Sequence, residues 1–364
     1  KIRVRFRDKG FARHQLQGLN VTLLEMFRQF MSPYKSNGTN ILANVVLGVR
    51  QNDYMSGLDD LSTAIDAFVE QAQNSTAEVS VSPVTVTNQK LVADVKVTNK
   101  TGHRLPSGVG FRRAFLEFRV IDNDTGNTVW CSGCTNELGV ITNGAAGNSE
   151  RLASELFDVY KDGSRPATHG YPAGCNNKYL PGINPQHYQP HFFWNSQNNT
   201  GSAITRQDQV QIYEELNLNI QCAMTTSFLR RDYQLKDNRL LPFGWTSTGP
   251  LNADKTPYIP ADYLHETFPV SVGGDPAYAD GSGTNVVRYE IPLSAFTARN
   301  LSVTATLYYQ SIPPYYLHDR FSQAPDAPAT QRLYYLTSNL QTKGTPIENW
   351  KLQIAKASQT ATVR

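Results

Sequence analysis

This chain of 364 residues has no long apolar run, no surplus of one charge and few cysteines. Its longest apolar stretch, residues 41–49, is interrupted by Asn44 and falls well short of the roughly 20 residues of a membrane helix. No membrane span is expected. The 34 Lys and Arg nearly balance 31 Asp and Glu, leaving a net charge of +3, and only residues 1–7 concentrate basic side chains. That is too little to attract a nucleic acid, and the alternating basic start reads as a solvated strand or tether. Also missing are a nucleophile elbow, a His-Glu-x-x-His zinc motif, a phosphate-binding loop and a dinucleotide-binding glycine fingerprint. An enzyme is therefore not the expected reading. No internal repeat is visible, and a chain that begins with Lys rather than Met and shows no charged-then-apolar leader is expected to be a processed product or, the favoured choice, a fragment of something longer.

What the chain has is 40% apolar residues, with 18 Tyr, 16 Phe and 20 Pro, a composition that suits β-structure and long ordered loops. Leu16, Leu19, Leu23, Phe27 and Phe30 recur at helical spacing and predict a helix over 11–31. Leu58, Leu61, Ile65, Phe68 and Ala72 predict a second over 55–73, capped by Ser56. Two such helices alone bury little of either face, so residues 1–75 are expected to form a helical segment packed on a missing or partner portion.

From about Asn74 the period falls to two. Val79, Val81, Val84 and Val86 lead to a turn at Asn88-Gln89, then Leu91, Ala93, Val95 and Val97, then Ala114, Leu116, Phe118 and Val120. These read as an antiparallel meander. Residues 135–205 hold no lasting period and form a long irregular excursion. Strand patterns return over 209–214, 286–291 and 301–309, while 346–357 reads as a helix. The expected fold is α+β: a short N-terminal helical segment, then an antiparallel β-sandwich with long irregular loops over 76–364.

Seven Asn-x-Ser/Thr sequons, at Asn20, Asn37, Asn74, Asn99, Asn123, Asn198 and Asn300, suit an exported protein, although a chain rich in Asn and Thr makes several by accident. Four cysteines, Cys131, Cys134, Cys175 and Cys222, allow three disulfide connectivities, of which Cys131 with Cys134 and Cys175 with Cys222 is the first choice. The Cys131-Ser-Gly-Cys134 spacing also fits a redox pair or half a zinc site, but neither a helix start nor a second ligand pair follows it.

The richest segment is Asn99-Lys-Thr-Gly-His-Arg-Leu-Pro-Ser-Gly108, where glycines and a proline fix a turn that presents His103 just before a strand. Around it stand Phe11-Ala-Arg-His14 with Gly18 and Asn20, Asp208-Gln-Val-Gln-Ile-Tyr-Glu214, Lys236-Asp-Asn-Arg-Leu-Leu-Pro-Phe-Gly244 and Asp280-Gly-Ser-Gly-Thr-Asn-Val-Val-Arg-Tyr289. In this order the five runs resemble the heme-free C-terminal portion of extracytoplasmic multiheme c-type cytochromes. The resemblance implies an accessory portion of an exported electron-transfer protein, with heme c held by an upstream segment or by a heme-bearing partner polypeptide. It also implies that His14 and His103, which match the family's histidines, serve as distal axial ligands. Thr135 follows Cys134, so this chain has no Cys-x-x-Cys-His with which to attach a heme itself. Read without the resemblance, His14 is a helix-surface or interface histidine and His103 a turn histidine bonded to a carbonyl.

Thinner signals remain. Asp275, Asp280 and Asn285, set among glycines, could supply oxygen ligands to calcium or simply form a hairpin turn. His187 and His191 are four apart, but Pro185 and Pro190 argue against the helix that would join them on a metal, leaving hydrogen-bonded loop histidines. Tyr308, Tyr309, Tyr315 and Tyr316 could form an aromatic platform for sugars or pack internally. The rival to the electron-transfer reading is a heme-free structural or carbohydrate-binding module of a surface layer or filament, forming homo-oligomers.

Overall fold

The structure is a computed structural model that describes residues 18–31, 61–145, 150–155, 188–220, 224–265, 267–295 and 297–362. Helix α1 (Val21–Met31) starts where Asn20 Oδ1 accepts the Leu23 N–H at 3.1 Å, which meets one of the orphan donors of a helix start. Helix α2 is Ser62–Gln71. Val21, Met26, Ile65 and Ala72 from this region are buried in one cluster with the sandwich residues.

The inward face of α1 is only in part the one the leucine spacing predicts: Leu19 and Phe30 pack on the core, as expected. Thr22, Glu25 and Met26 point in, while Leu23 is 37% exposed. The polar groups can be inside because each has a fixed partner: Glu25 accepts from Arg28 at 2.7 Å and Gln29 at 3.2 Å, and Ser311 donates to Thr22 at 3.0 Å. Gln29 then exchanges two hydrogen bonds, 2.8 and 2.9 Å, with the backbone of Gln341. Period counting cannot foresee such long-range partners.

The strands, in chain order, are β1 (Ala77–Val81), β2 (Thr85–Thr87), β3 (Lys90–Asn99), β4 (Arg113–Asp122), β5 (Thr128–Ser132), β6 (Trp194–Asn195), β7 (Thr200–Gly201), β8 (Ile212–Tyr213), β9 (Glu215–Asn219), β10 (Met224–Thr225), β11 (Arg231–Asp237), β12 (Thr284–Pro292), β13 (Asn300–Gln310) and β14 (Leu352–Thr362). One antiparallel sheet runs β1-β3-β12 with β2 on β3; the facing one runs β14-β13-β4-β5 with β8 on β4. A small sheet, β10-β9-β11, and the β6-β7 pair stand apart. Helices α3 (Ala261–His265), α4 (Pro314–Gln323) and α5 (Pro328–Asn339) lie in the connections.

Alternation builds the core. Leu91, Ala93, Val95 and Val97 of β3 sit opposite Ile291, Tyr289, Val287 and Asn285 of β12, so the large Tyr289 lies across from the small Ala93. From the other sheet Phe118 stacks on Tyr289 at 3.9 Å, and Trp130 meets both rings edge-on at 6.2 and 6.3 Å. This aromatic triad bridges the sheets.

Strand β4 is buried on both faces. Its outer residue Phe115 packs with Ile141, Leu152, Val210 and Ile212, so the irregular stretch after β5 serves as a cover for the central strand. The stretch begins with the Cys131–Cys134 disulfide, as expected. Between those cysteines Gly133 has φ +79, and a Cβ there would lie 2.2 Å from the Leu116 carbonyl oxygen. Only glycine fits.

Two expectations are corrected. The meander does not continue from β3 into β4: β3 pairs with β12, and the chain crosses to the other sheet through residues 100–112. The end of the chain is strand β14, not a helix over 346–357, because Leu352 and Ile354 alternate inward and the strand pairs along β13. The helix of this region is α5, earlier in the chain. Among the described residues no helix is long and apolar enough to cross a membrane.

Candidate functional site

The crossover from β3 to β4 carries His103. At its base Asn99 is buried, its Nδ2 lying 2.8 Å from the His103 carbonyl and 3.1 Å from the carbonyls of Leu240 and Leu241. Its Oδ1 accepts from the Thr101 N–H at 2.9 Å. The Asn99 sequon is thus an amide committed to holding a turn. Past the histidine, Leu105 and Leu240 exchange backbone hydrogen bonds of 2.9 Å, the Leu105–Pro106 peptide is cis, and Arg104 pairs with Asp237 and donates to the Thr267 carbonyl. The turn is fastened on both sides.

The imidazole itself is exposed. Its Nδ1 lies 2.9 Å from the Arg104 carbonyl oxygen and 3.3 Å from Thr101 Oγ1. A carbonyl can only accept, so Nδ1 carries the proton and Nε2 is left with its lone pair. This is the carbonyl-bonded turn histidine the sequence offered as one reading, and the same tautomer would leave Nε2 available to a metal.

The later signature runs of the sequence converge on the same region. Asn99 N–H donates to the Gly283 carbonyl at 2.9 Å, and Gly244 N–H to that of Gly281 at 2.7 Å. Below them lies a residue whose importance the sequence understated, His191, with a fully buried side chain. Gln211 Nε2 and Asn238 Nδ2 both donate to its Nδ1 at 3.1 Å, so the ring proton is on Nε2, 3.0 Å from Asp275 Oδ2. Burial holds the His191 pKa below its ordinary value, against the pull of Asp275. Asn285 Oδ1 accepts from Tyr213 Oη at 2.8 Å and Gln211 Nε2 at 3.1 Å, while its Nδ2 donates to Asp275 at 2.9 Å. Asn238 in turn accepts the Glu214 N–H at 3.0 Å. Residues 208–214, 236–238 and 275–285 are joined by this closed network. Paired amides spaced within these runs were the available signal.

The proposed calcium ligands do not form a cation site. Asp275 and Asn285 come together, but their oxygens are taken by His191, Tyr213, Gln211 and the Ala277 N–H, and Asp280 stands apart in a turn, accepting the Ser282 N–H at 2.7 Å. Asp275 caps a short turn of helix at Pro276–Tyr278. Among the described residues no group of three or more His, Cys, Asp or Glu side chains could hold a metal ion. His14, Cys175, Cys222 and His187 lie outside the described residues. The tyrosine platform is largely packing, since Tyr309 and Tyr315 are each 2% exposed and Tyr316 stacks on Phe111 at 3.8 Å.

No family model matches this chain, and neither does any curated protein. Among solved structures, a penta-heme cytochrome c552 from Thermochromatium tepidum is similar at 14% identity and a TM-score of 0.30, over 80% of this chain and 41% of that one. The chain spans about two fifths of that cytochrome's length.

Proposed function

We propose that this chain is the heme-free companion portion of an exported multiheme electron-transfer protein, in which His103 supplies a distal axial ligand to a heme c held by an upstream segment or a partner polypeptide. The observation that carries the reading is the state of the His103 ring: exposed, fixed through the Asn99 and Arg104 anchors, with Nδ1 on the Arg104 carbonyl and Nε2 directed away from that bond. A bound heme would supply one-electron chemistry. The residues of this chain position and tune: the Arg104 carbonyl raises the basicity of the imidazole, and Asn99 and Thr101 keep the turn from swinging.

His14 is the second proposed ligand, by its match to the family. Residues 1–75 are proposed to seat the heme-bearing portion through surface that α1 and α2 do not bury against the sandwich. The Cys131–Cys134 disulfide suits an oxidising, extracytoplasmic setting.

The test is the visible and EPR spectrum of the natural, heme-loaded protein against its His103→Ala variant. One heme should pass from low-spin to high-spin while the others are unchanged. Identical spectra would return His103 to an ordinary turn histidine, and a colourless natural protein would end the electron-transfer reading.

A further inference from the structure

A cleft of about 970 Å³ opens between the 137–140 loop, the α4 and α5 helices and the segment that leads into β14. We propose that it binds a neutral oligosaccharide, with Trp350 as the ring platform. The proposal stands apart from the heme reading and uses none of its residues.

The walls are preformed. Gly139 has φ +73, and a Cβ there would lie 2.7 Å from Trp350 Cβ and 2.8 Å from the Asn349 carbonyl oxygen, so the loop approaches the Asn349-Trp350 pair as closely as only a glycine allows. Gln310 fastens the same point: its Nε2 donates to the Gly139 carbonyl at 2.8 Å and its Oε1 accepts from buried Arg113 at 2.8 Å. Asn136 Oδ1 accepts from Leu138 and Val140 N–H at 2.9 and 3.1 Å and shapes the loop. Asn349 and Trp350 both have positive φ, 54° and 56°, a conformation that large side chains keep only where the surroundings impose it, and such residues cluster at ligand clamps. A site built in advance loses little ordering entropy on binding.

The lining chemistry selects the ligand class. Trp350, packed on the core and half-buried, and Phe321, edge-on against Tyr334, line the cleft with the aliphatic Leu138 and Leu340, and Gln341, Asn349 and two carboxylates set donors and acceptors beside them. Sugar rings have the same division, with apolar C–H faces and a rim of hydroxyls. The lining carries two carboxylates, Glu137 and Glu348, one ammonium, Lys343, and His318, a balance that gives phosphates and carboxylates no cationic cluster to bind. A wholly apolar ligand would strip water from these polar groups without replacing it. Residues 342–348 fold into successive turns, Thr345 N–H to Thr342 O and Glu348 N–H to Thr345 O at 3.1 Å, and so present no strand edge to a peptide.

Calorimetric titration of the full chain with cellotriose, chitotriose and mannotriose tests the assignment. At least one should bind with a dissociation constant of about 1 mM or tighter, and Trp350→Ala should weaken it about tenfold or more. Because Trp350 also packs on Gly139, the exposed-site variants Gln341→Ala and Glu348→Gln serve as checks that leave the fold intact, and each should weaken binding several-fold. Tyr263→Ala, on the separate helix α3, should change nothing. No binding by any of the three at about 10 mM, binding untouched by the Gln341 and Glu348 variants, or a peptide that occupies the cleft in place of every trisaccharide would overturn the proposal.

Discussion

At the scale of single residues, the two described histidines near the signature runs show how hydrogen-bond partners hold one kind of side chain in opposite environments. His103 gives its Nδ1 proton to a carbonyl and keeps an exposed Nε2, whereas His191 is enclosed by two amide donors and a carboxylate. Protonating His191 would set a new N–H against the N–H groups of Gln211 and Asn238. Its folded pKa is held low by burial, so below about pH 6.5, the ordinary histidine value, the unfolded chain binds a proton that the folded one refuses. Stability is therefore full above that pH and falls as the pH drops through it, with a slope of up to about 1.4 kcal/mol per pH unit. Urea unfolding at pH 7.5 and pH 5.5 reads this loss, and the loss should shrink in His191→Gln; an unchanged slope in that variant would assign the pH effect to other groups. Asn99 is the second decisive residue. Asn99→Ala takes the amide donor from the buried Leu241 carbonyl and leaves the Leu240 carbonyl with the Leu105 N–H alone, and should cost about 1–3 kcal/mol by chemical denaturation. The same variant should loosen the His103 turn and broaden the spectrum of the heme it is proposed to bind.

At the scale of elements, strand alternation and the local hairpin of β2 with β3 were legible, and long-range strand pairing was not. The inward residues of β3, β4, β12 and β13 are those their period of two predicts. The turn at Asn88-Gln89 is also where it was expected, with both residues at positive φ, 51° and 56°. Two left-handed residues in succession define the mirror-image turn that favours Asn-Gly, so Gln89→Gly should gain about 0.4–1 kcal/mol, measured as a shift in the denaturation midpoint. What stayed hidden was that β3 turns away from β4 to join β12, because sheet partners nearly 200 residues apart leave no local mark. The same holds for α1, whose buried Glu25 is paired with Arg28 and Gln29, while the half-buried Gln29 reaches the backbone of residue 341. Tyr289→Ala would empty the contact that joins the sheets through Phe118 and Trp130. It should cost about 3–5 kcal/mol by thermal or chemical unfolding; a cost below about 1 kcal/mol would mean that the sheets do not depend on this stack.

For the whole molecule, the α+β plan of a helical opening and a two-sheet sandwich followed from periodicity, while the site was legible only where a turn motif announced it. His103 stood out because Gly102, Pro106 and Gly108 punctuate the chain around it. His191 is the hydrogen-bonded loop histidine its sequence suggests, but its partners stayed hidden because they come from three separate segments and its flanking sequence is irregular. The charged interior was equally unreadable: Arg113 meets Glu155 at 2.5 Å, Lys236 meets Glu214 at 2.9 Å and Lys351 meets Glu117 at 2.7 Å, all deep in the fold. Such pairs anchor the irregular segments to the sheets, since breaking either partner leaves a buried charge uncompensated. The central claim is that this chain attaches no heme through Cys131–Cys134 and instead lends an imidazole to iron carried elsewhere. An experimental structure of the natural heme-loaded protein is the most direct measurement. The account predicts His103 Nε2 in the coordination shell of a heme iron, with Nδ1 still on the Arg104 carbonyl; every iron fully ligated by other residues, with His103 left in solvent, would contradict it.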